Sequence, residues 1–95
     1  MYFVYVIESR QDASWYIGYR TNLKRRISDH NTGNGCVTTA KKSGGWKLIY
    51  FECYTNKQDA LGREKFLKGG SGRKYLYKQL AHYLKKTPAD STTTR

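Results

Sequence analysis

The sequence predicts a single α+β domain in which helices flank a small three-stranded antiparallel sheet, in the order β-β-α-β-α-α. Three runs of β-branched and aromatic residues indicate the strands. The segments after the second and third strands carry apolar residues at helical spacing, which indicates the helices. The length of 95 residues suits one domain with a small core rather than two domains.

Each predicted strand has its own pattern. Residues 1–8 (MYFVYVIE) are β-branched and aromatic at successive positions, which indicates a strand buried on both faces. Residues 15–18 (WYIG) follow a polar turn and predict the second strand of an antiparallel hairpin. Residues 46–54 (WKLIYFECY) predict the third strand. Three aromatic residues of these runs are expected in the core, namely Tyr2, Trp46 and Tyr50.

The first helix is predicted over residues 22–31 (NLKRRISDHN), with Thr21 as its N-cap. Apolar residues four positions apart give this helix a buried stripe. Arg26 and His30 are also four positions apart, so we expect them to share a face beside that stripe.

Two further helices are predicted after the third strand. A capping box formed by Thr55 and Gln58 begins the first of them, and the glycines at 69 and 70 end it. Ser71 is expected to cap the last helix, which covers residues 72–86.

Two segments show no periodicity. Residues 33–45 (GNGCVTTAKKSGG) predict a long loop, and loops of this length are often functional. Residues 87–95 (TPADSTTTR) have no apolar anchor, which predicts a disordered tail. The sequence therefore places one domain at residues 1–86.

The charge points to an anionic partner. The chain has 18 lysines and arginines against 7 acidic residues, which gives a formal net charge of +11. Such a surplus favours polyanions, and nucleic acid is the commonest of them. Aromatic residues make up 15% of the chain, and among basic residues they suit base stacking as well as core packing. A soluble protein that is simply basic is the alternative.

Two other classes are not expected. No apolar run approaches the ~20 residues that cross a bilayer, and the start lacks the pattern of a signal peptide. The two cysteines, Cys36 and Cys53, form no CxxC pair, which fits a reducing cytoplasm.

The catalytic signal from residue types alone is modest. The acids are scattered, and the sequence shows neither a Ser-His-Asp order nor a phosphate-binding loop. Glu64 stands out because Arg63 and Lys65 flank it on a basic chain. The alternative is an ordinary surface glutamate that makes local ion pairs.

A set of five residues resembles a known family. The first two strands carry the triplets Phe-Val-Tyr and Tyr-Ile-Gly, an arginine follows ten residues after the second tyrosine and a histidine four residues later, and a glutamate lies on the helix after the third strand. The set is similar to the GIY-YIG nuclease family, especially its small single-domain members, over residues 2–84. The residues that carry the resemblance are Tyr5, Tyr16, Arg26, His30 and Glu64.

The resemblance implies a metal-dependent endonuclease that hydrolyses phosphodiester bonds in structured or branched DNA with low sequence specificity, as in DNA repair. A single carboxylate suits a one-metal site, where Glu64 would hold Mg²⁺ or Mn²⁺. Arg26 would bind the scissile phosphate and stabilise the transition state. We expect a monomer, and a larger protein that directs the cut is compatible with the resemblance.

The resemblance also implies which residues take the proton from the attacking water. Tyr16 is the candidate general base, Tyr5 would lie beside it, and His30 would accept or relay the proton. The sequence does not decide which tyrosine is the base. Tyr19 falls where some relatives place a further active-site residue.

Two alternatives to a nuclease stay open. The lone acid, and the lack in the last helix of the asparagine that larger family members carry, favour a nucleic-acid-binding module with an inactive site. The other is a basic structural protein, for example one bound to ribosomal RNA, and RNA is the alternative to DNA as substrate. Five basic residues are expected to contact the nucleic-acid backbone, namely Lys41, Lys42, Arg73, Lys74 and Lys78.

Overall fold

A three-stranded antiparallel sheet forms the centre of the computed structural model, which describes residues 1–32 and 45–85. The strands are β1 (Tyr2–Ser9), β2 (Trp15–Arg20) and β3 (Trp46–Tyr54), in the spatial order β2-β1-β3. The central strand β1 pairs antiparallel with both neighbours and is the most deeply buried of the three. The predicted α+β class, the three strands and the two-sided burial of the first strand are confirmed.

The register divides the side chains between two faces of the sheet. Tyr5 lies opposite Gly18 on β2 and Phe51 on β3, and directly paired residues share a face. The neighbouring Val4 lies opposite Tyr19 and Glu52, on the other face. We call the first the Tyr5 face and the second the Val4 face.

The turn between β1 and β2 sets this register. Ser9 Oγ accepts a hydrogen bond from the Gln11 backbone at 3.1 Å, and Asp12 Oδ1 accepts one from the Ser14 backbone at 3.1 Å. Ala13 adopts a left-handed conformation with φ of 62° to close the turn. These bonds hold β2 so that Gly18 comes to rest opposite Tyr5.

The first helix, α1, covers Leu23–Thr32 and begins at Asn22. Asn22 Oδ1 accepts the hydrogen bond of the Arg25 backbone N–H at 3.0 Å, as an N-cap side chain does. The predicted cap, Thr21, is therefore wrong by one residue. Both side chains can cap a helix, and the asparagine oxygen is the one that reaches the N–H of the first turn.

Helix α1 packs on the Tyr5 face. A core of three buried side chains is lined by three partly buried ones, of which two belong to α1; the six are Tyr5, Ile7, Trp46, Tyr16, Leu23 and Ile27. The predicted core position of Trp46 is confirmed, whereas Tyr2 and Tyr50 are only half-buried. Asn31 joins the end of α1 to the start of β3, because its Oδ1 accepts the hydrogen bond of the Trp46 backbone N–H.

The second helix, α2, covers Lys57–Lys68. Asn56 Oδ1 accepts a hydrogen bond from the Gln58 backbone at 2.8 Å, so Asn56 is the N-cap and the predicted Thr55 is again wrong by one residue. Arg63 of α2 forms an ion pair with Glu52 of β3, with Nε 2.8 Å from Oε1. Since Glu52 lies on the Val4 face, this pair ties α2 to the side of the sheet away from α1.

The chain divides into two compact units within α2, the first of which is Met1–Lys65. In the described part of the second unit, α3 (Gly70–Gln79) and α4 (Ala81–Leu84) follow the end of α2. Leu80 separates them with φ of −103°, so the prediction of one continuous helix over residues 72–86 is wrong.

The predicted cap of α3 is also wrong. The N-cap is Gly69, which makes no side-chain hydrogen bond, and Ser71 lies inside the first turn. A Cβ at Gly72 would lie 2.7 Å from the carbonyl carbon of Phe66, so the start of α3 crosses the end of α2 at a distance that glycine permits. Only Gly69 separates the end of α2 at Lys68 from the start of α3 at Gly70, so the helix begins before Ser71.

Some predictions fall outside the described residues. These are most of the loop over residues 33–45, with Lys41 and Lys42, and the tail over residues 87–95 with the boundary at 86. Within residues 1–32 and 45–85, no helix combines the length and the apolar character that a membrane crossing requires.

Candidate active site

Tyr5 and Gly18 form the floor of the candidate site. Tyr5 is 1% exposed, and a Cβ placed on Gly18 would lie 2.6 Å from its Cζ. No ordinary side chain fits at that distance, so the tyrosine ring lies across the place that the glycine leaves open. This contact explains why the Tyr-Ile-Gly triplet ends in glycine: Gly18 on β2 lies opposite Tyr5 on the neighbouring strand β1.

His30 of α1 is buried against Tyr5. Its side chain is 2% exposed, and its Nε2 lies 3.1 Å from the Tyr5 hydroxyl. Burial, together with the positive charge of Arg26, lowers the pKa of His30 to about 4. The imidazole is therefore neutral at physiological pH, and in the tautomer with a proton on Nδ1 the Tyr5 hydroxyl donates to Nε2.

Tyr16 is the more accessible of the two tyrosines. It is half-buried, and its ring centroid lies 5.0 Å from that of His30 and 6.5 Å from that of Tyr5. The ring of Trp46 lies on His30 at 6.5 Å and belongs to the buried core. The histidine is thus held among three aromatic rings, and of the two tyrosines only Tyr16 has an appreciable exposed surface.

Arg26 joins the two tyrosines. Burial opposes its charge, but hydrogen bonds and charge attraction from Tyr5 and Tyr16 outweigh this effect and raise its pKa. For Tyr5, burial raises the pKa and the hydrogen bond with Arg26 only partly offsets it. Tyr5 is therefore held in its neutral form beside a permanent cation.

Arg26 also has capacity for a further partner. Within the described residues, its Nε is the buried side-chain nitrogen that lacks a hydrogen-bond partner. Arg26 lines a cavity of about 300 Å³ with Arg20 and Arg25, and the polar side chains of Thr21, Asn22 and Asp29 complete the lining. A buried N–H without a partner costs about 1–3 kcal/mol. Three arginines against one aspartate give the lining of the cavity a net positive charge. The cavity therefore suits an anion.

The geometry brings together four of the five residues of the resemblance, namely Tyr5, Tyr16, Arg26 and His30. The fifth, Glu64, is half-buried on α2. It directly follows Arg63, whose ion pair with Glu52 fixes this part of α2 on β3. That Glu64 belongs to the same site as the other four residues is an expectation from the family resemblance.

The anchoring group around Glu52 was not predicted from the sequence. Arg63 donates from Nε and a terminal nitrogen to the two carboxylate oxygens at 2.8 and 3.0 Å, and the hydroxyls of Tyr50 and Tyr54 also donate to them. Burial would raise the pKa of Glu52, but the hydrogen bonds from Arg63 and the tyrosines hold it below its usual value. Tyrosines two positions before and after a strand glutamate were the available signal, because alternation places all three on one face.

The remaining candidates lie on β2 and on α3. Tyr19 lies on the Val4 face, where its ring stacks on Tyr2 at 6.2 Å, so the structure does not bring it to the cluster. Three candidates for backbone contact are exposed on α3 in the second unit, namely Arg73, Lys74 and Lys78.

Carboxylates are the side chains of the described residues that suit a divalent cation of the Mg²⁺ type. In the described part of the chain, no three side chains of the types His, Cys, Asp and Glu come together as a ready-made metal site. Glu52 accepts hydrogen bonds from Arg63 and two tyrosines, and Glu8 accepts the indole N–H of Trp15 at 3.0 Å. The carboxylate of Glu64, like that of Asp29 in the lining of the cationic cavity, is a ligand type that suits Mg²⁺.

The comparison with protein families decides the identity. The sequence model of the family described as "GIY-YIG catalytic domain" matches residues 1–78. The chain belongs to the GIY-YIG family. The predicted resemblance is therefore confirmed. The domain has a nuclease-type fold, its family consists typically of endonucleases that generally use divalent metals, and a nucleic-acid substrate is implied.

The similar proteins are small members of the same family. A UPF0213 protein of Clostridium perfringens is 41% identical over 68 residues, which cover 72% of this GIY-YIG chain and 71% of the relative. A UPF0213 protein of Streptococcus pneumoniae is 41% identical over 66 residues, or 70% of the chain and 65% of the relative. The solution NMR structure of a UPF0213 protein from Bacillus halodurans is 35% identical, with a TM-score of 0.49 over 98% of this chain and 95% of that one.

Proposed function

We propose that this GIY-YIG protein is a metal-dependent endonuclease that hydrolyses phosphodiester bonds of structured or branched DNA with low sequence specificity. The observation that carries the proposal is the environment of Arg26. Its guanidinium is bonded to two tyrosines, its Nε has no partner among the described residues, and it lines a cationic cavity. A scissile phosphate supplies the charge and the acceptor oxygens that this arrangement lacks.

Arg26 is the residue proposed to bind the phosphate. The guanidinium is planar and permanently charged, and the tyrosine hydroxyls fix its orientation before substrate arrives. A donor that is already oriented stabilises the charge that develops on the phosphate oxygens without a cost of reorganisation. Arg20 and Arg25 add positive charge to the same cavity.

Tyr16 is the residue proposed to take the proton of the attacking water. It has exposed surface, whereas Tyr5 is buried and has a raised pKa. The charge of Arg26 beside Tyr16 favours the deprotonated hydroxyl. Tyr5 and His30 do not reach substrate, so we assign them as positioning residues that hold Arg26 and Tyr16 through the buried hydrogen bond.

Glu64 is the residue proposed to hold the divalent cation, Mg²⁺ or Mn²⁺. When bound, the cation supplies Lewis-acid stabilisation of the phosphate and of the leaving oxygen. The Glu52–Arg63 ion pair holds this turn of α2 on the sheet, and so it restrains the position of the adjacent Glu64. We further propose that the protein acts in the cytoplasm, in agreement with the exposed thiol of Cys53, which forms no disulfide with any described residue.

Nicking of supercoiled plasmid by the full chain tests the proposal. We expect relaxed and linear products with Mg²⁺ or Mn²⁺ and none with EDTA, and faster cleavage of forks and flaps than of linear duplex. Binding to all of these DNAs without cleavage in either metal would contradict the proposal. That result would instead support a nucleic-acid-binding module with an inactive site.

A further inference from the structure

An apolar groove lies beside the cationic cavity. Its volume is about 650 Å³. Its apolar walls come from β1, β3 and the first turns of α1, and they are Phe3, Leu23, Ile27, Leu48 and Phe51. Lys24 also lines the groove, and the proposed mechanism uses none of these side chains.

Phe51 is the most exposed of these walls. Its side chain is 50% exposed although it lies on the Tyr5 face, where its strand neighbour Tyr5 is buried. The rings of Phe3 and Phe51 pack in a T-shaped arrangement, with centroids 6.0 Å apart and planes at 64°. The exposed half of Phe51 offers apolar surface to another flat ring. A wide apolar surface left open on so basic a chain marks a binding site.

The groove and the cationic cavity meet at the start of α1. Thr21 and Asn22 line both of them, while Arg26 belongs to the cavity and Phe51 to the groove. A ligand that fills both must carry a negative group next to a flat apolar one. A nucleotide has this composition, with a phosphate and a base joined through one sugar.

We propose that the groove binds an unpaired nucleobase of the substrate strand, next to the phosphate held by Arg26. The substrate class is then single-stranded or locally unpaired nucleic acid, since a paired and stacked base cannot offer its face to Phe51. This inference rests on the proposed nuclease site and deepens it. A second copy of the chain or an apolar peptide would fill the groove but would leave the adjacent arginines without an anion.

Binding without metal tests the inference, because it separates recognition of bases from cleavage. The probes are a fluorescein-labelled oligothymidylate and an abasic oligomer of equal length, which keeps the phosphates and lacks the bases. In EDTA, the full chain is expected to bind oligothymidylate roughly 5- to 100-fold more tightly than the abasic oligomer. Phe51→Ala should lose most of this preference while its affinity for the abasic oligomer stays unchanged.

The matched control is Phe66→Ala. Phe66 is 40% exposed but lies on α2, outside the groove, so its replacement should leave the preference for bases intact. Phe51→Leu keeps an apolar strand residue in case the alanine variant does not fold, and it should also lose the preference. Phe51→Trp should keep the preference for bases, because its broader ring still presents a stacking face.

Two results would overturn the inference. Equal binding of oligothymidylate and the abasic oligomer by the wild-type chain would show that no base is recognised. An equal loss of affinity for both probes in Phe51→Leu and Phe51→Ala would show a general effect on the fold or on phosphate binding. Failure of the nuclease proposal looks different, because it would abolish metal-dependent nicking without changing these metal-free affinities.

Discussion

The Tyr5 hydroxyl and His30 Nε2 lie 3.1 Å apart in a part of the protein that solvent does not reach. Both groups are buried polar atoms that need hydrogen-bond partners, so this contact helps to fix the rotamers of both side chains. Tyr5 also meets the guanidinium of Arg26, and His30 lies against the ring of Tyr16. The two most buried residues of the motif therefore hold in place the two that are proposed to meet substrate.

The tyrosines should respond differently to loss of the hydroxyl. Tyr16→Phe keeps the half-buried ring, so we expect a change in unfolding free energy of about 1 kcal/mol or less but a 10²–10⁴-fold slower cleavage. Tyr5→Phe leaves a buried histidine nitrogen without its partner and should lower stability by about 1–3 kcal/mol. Urea unfolding and single-turnover cleavage measure the two effects. Cleavage by Tyr16→Phe at the wild-type rate would remove it from the machinery.

The contribution of Arg26 to the rate of cleavage should depend on the shape of the guanidinium as well as on its charge. Arg26→Ala should slow cleavage by about 10²–10³-fold, and Arg26→Lys should recover only part of the rate because an ammonium cannot make the same forked contacts. Arg25→Ala, an exposed neighbour in the same cavity, is the matched control and should mainly weaken substrate binding. If Arg25→Ala slows the chemical step as much as Arg26→Ala, the cavity acts only through its total charge.

Acid should destabilise the protein through His30. In the folded chain the pKa of His30 is about 4, against an ordinary value of 6.5. Between these values the unfolded chain binds more protons, so the unfolding free energy should fall by up to about 3 kcal/mol as pH drops from the upper value to the lower. At a pH above the ordinary pKa of 6.5, His30 is neutral in both the folded and the unfolded chain, and the stability is at its full value. Urea unfolding between pH about 7 and about 5 isolates this effect from the carboxylates, which titrate lower.

A variant of His30 identifies the group responsible for that pH dependence. His30→Gln should flatten the curve of stability against pH. A curve of the same slope in His30→Gln would assign the titration to another group.

Replacing two glycines, Gly18 in the candidate site and Gly62 on α2, should change stability in opposite directions. Gly18→Ala places a Cβ 2.6 Å from Tyr5 Cζ, so we expect a loss of about 1–3 kcal/mol in stability and a large loss of activity. Gly62→Ala, within α2, meets no heavy atom within 4 Å and should stabilise the chain by roughly 0.5–1 kcal/mol. Thermal unfolding and plasmid nicking compare them. Unchanged activity in Gly18→Ala would show that the ring of Tyr5 need not lie over this position.

The strands could be predicted from the sequence because their patterns are local. Residues 46–54 were predicted as a strand and form β3, since a run of β-branched and aromatic residues needs no distant partner to be recognised. The helix caps were wrong by one residue because Thr21 precedes Asn22 and Thr55 precedes Asn56, and both residue types can cap.

The site was only partly predictable for a different reason. Arg26 and His30 share a helix face, so their proximity follows from spacing alone. The ion pair of Arg63 with Glu52 joins a helix to a strand, so it depends on tertiary packing. The break in the last helix at Leu80 depends on tertiary packing as well. Tyr19 lies on the Val4 face, away from Tyr5 and Tyr16. The break at Leu80 and the partner of Glu52 have no local signature, whereas Tyr19 lies three positions after Tyr16, so strand alternation alone places these two on opposite faces.

Cleavage by Glu64→Gln at saturating Mg²⁺ is the measurement that tests the central claim most directly. The amide keeps the shape of the half-buried side chain but loses the charge that would hold the cation, so we expect no detectable nicking and nearly unchanged DNA binding. Asp59→Asn removes an exposed acid from the first turn of the same helix and should cleave like the wild type. Wild-type cleavage by Glu64→Gln would contradict the claim that this chain is a nuclease with its metal at Glu64.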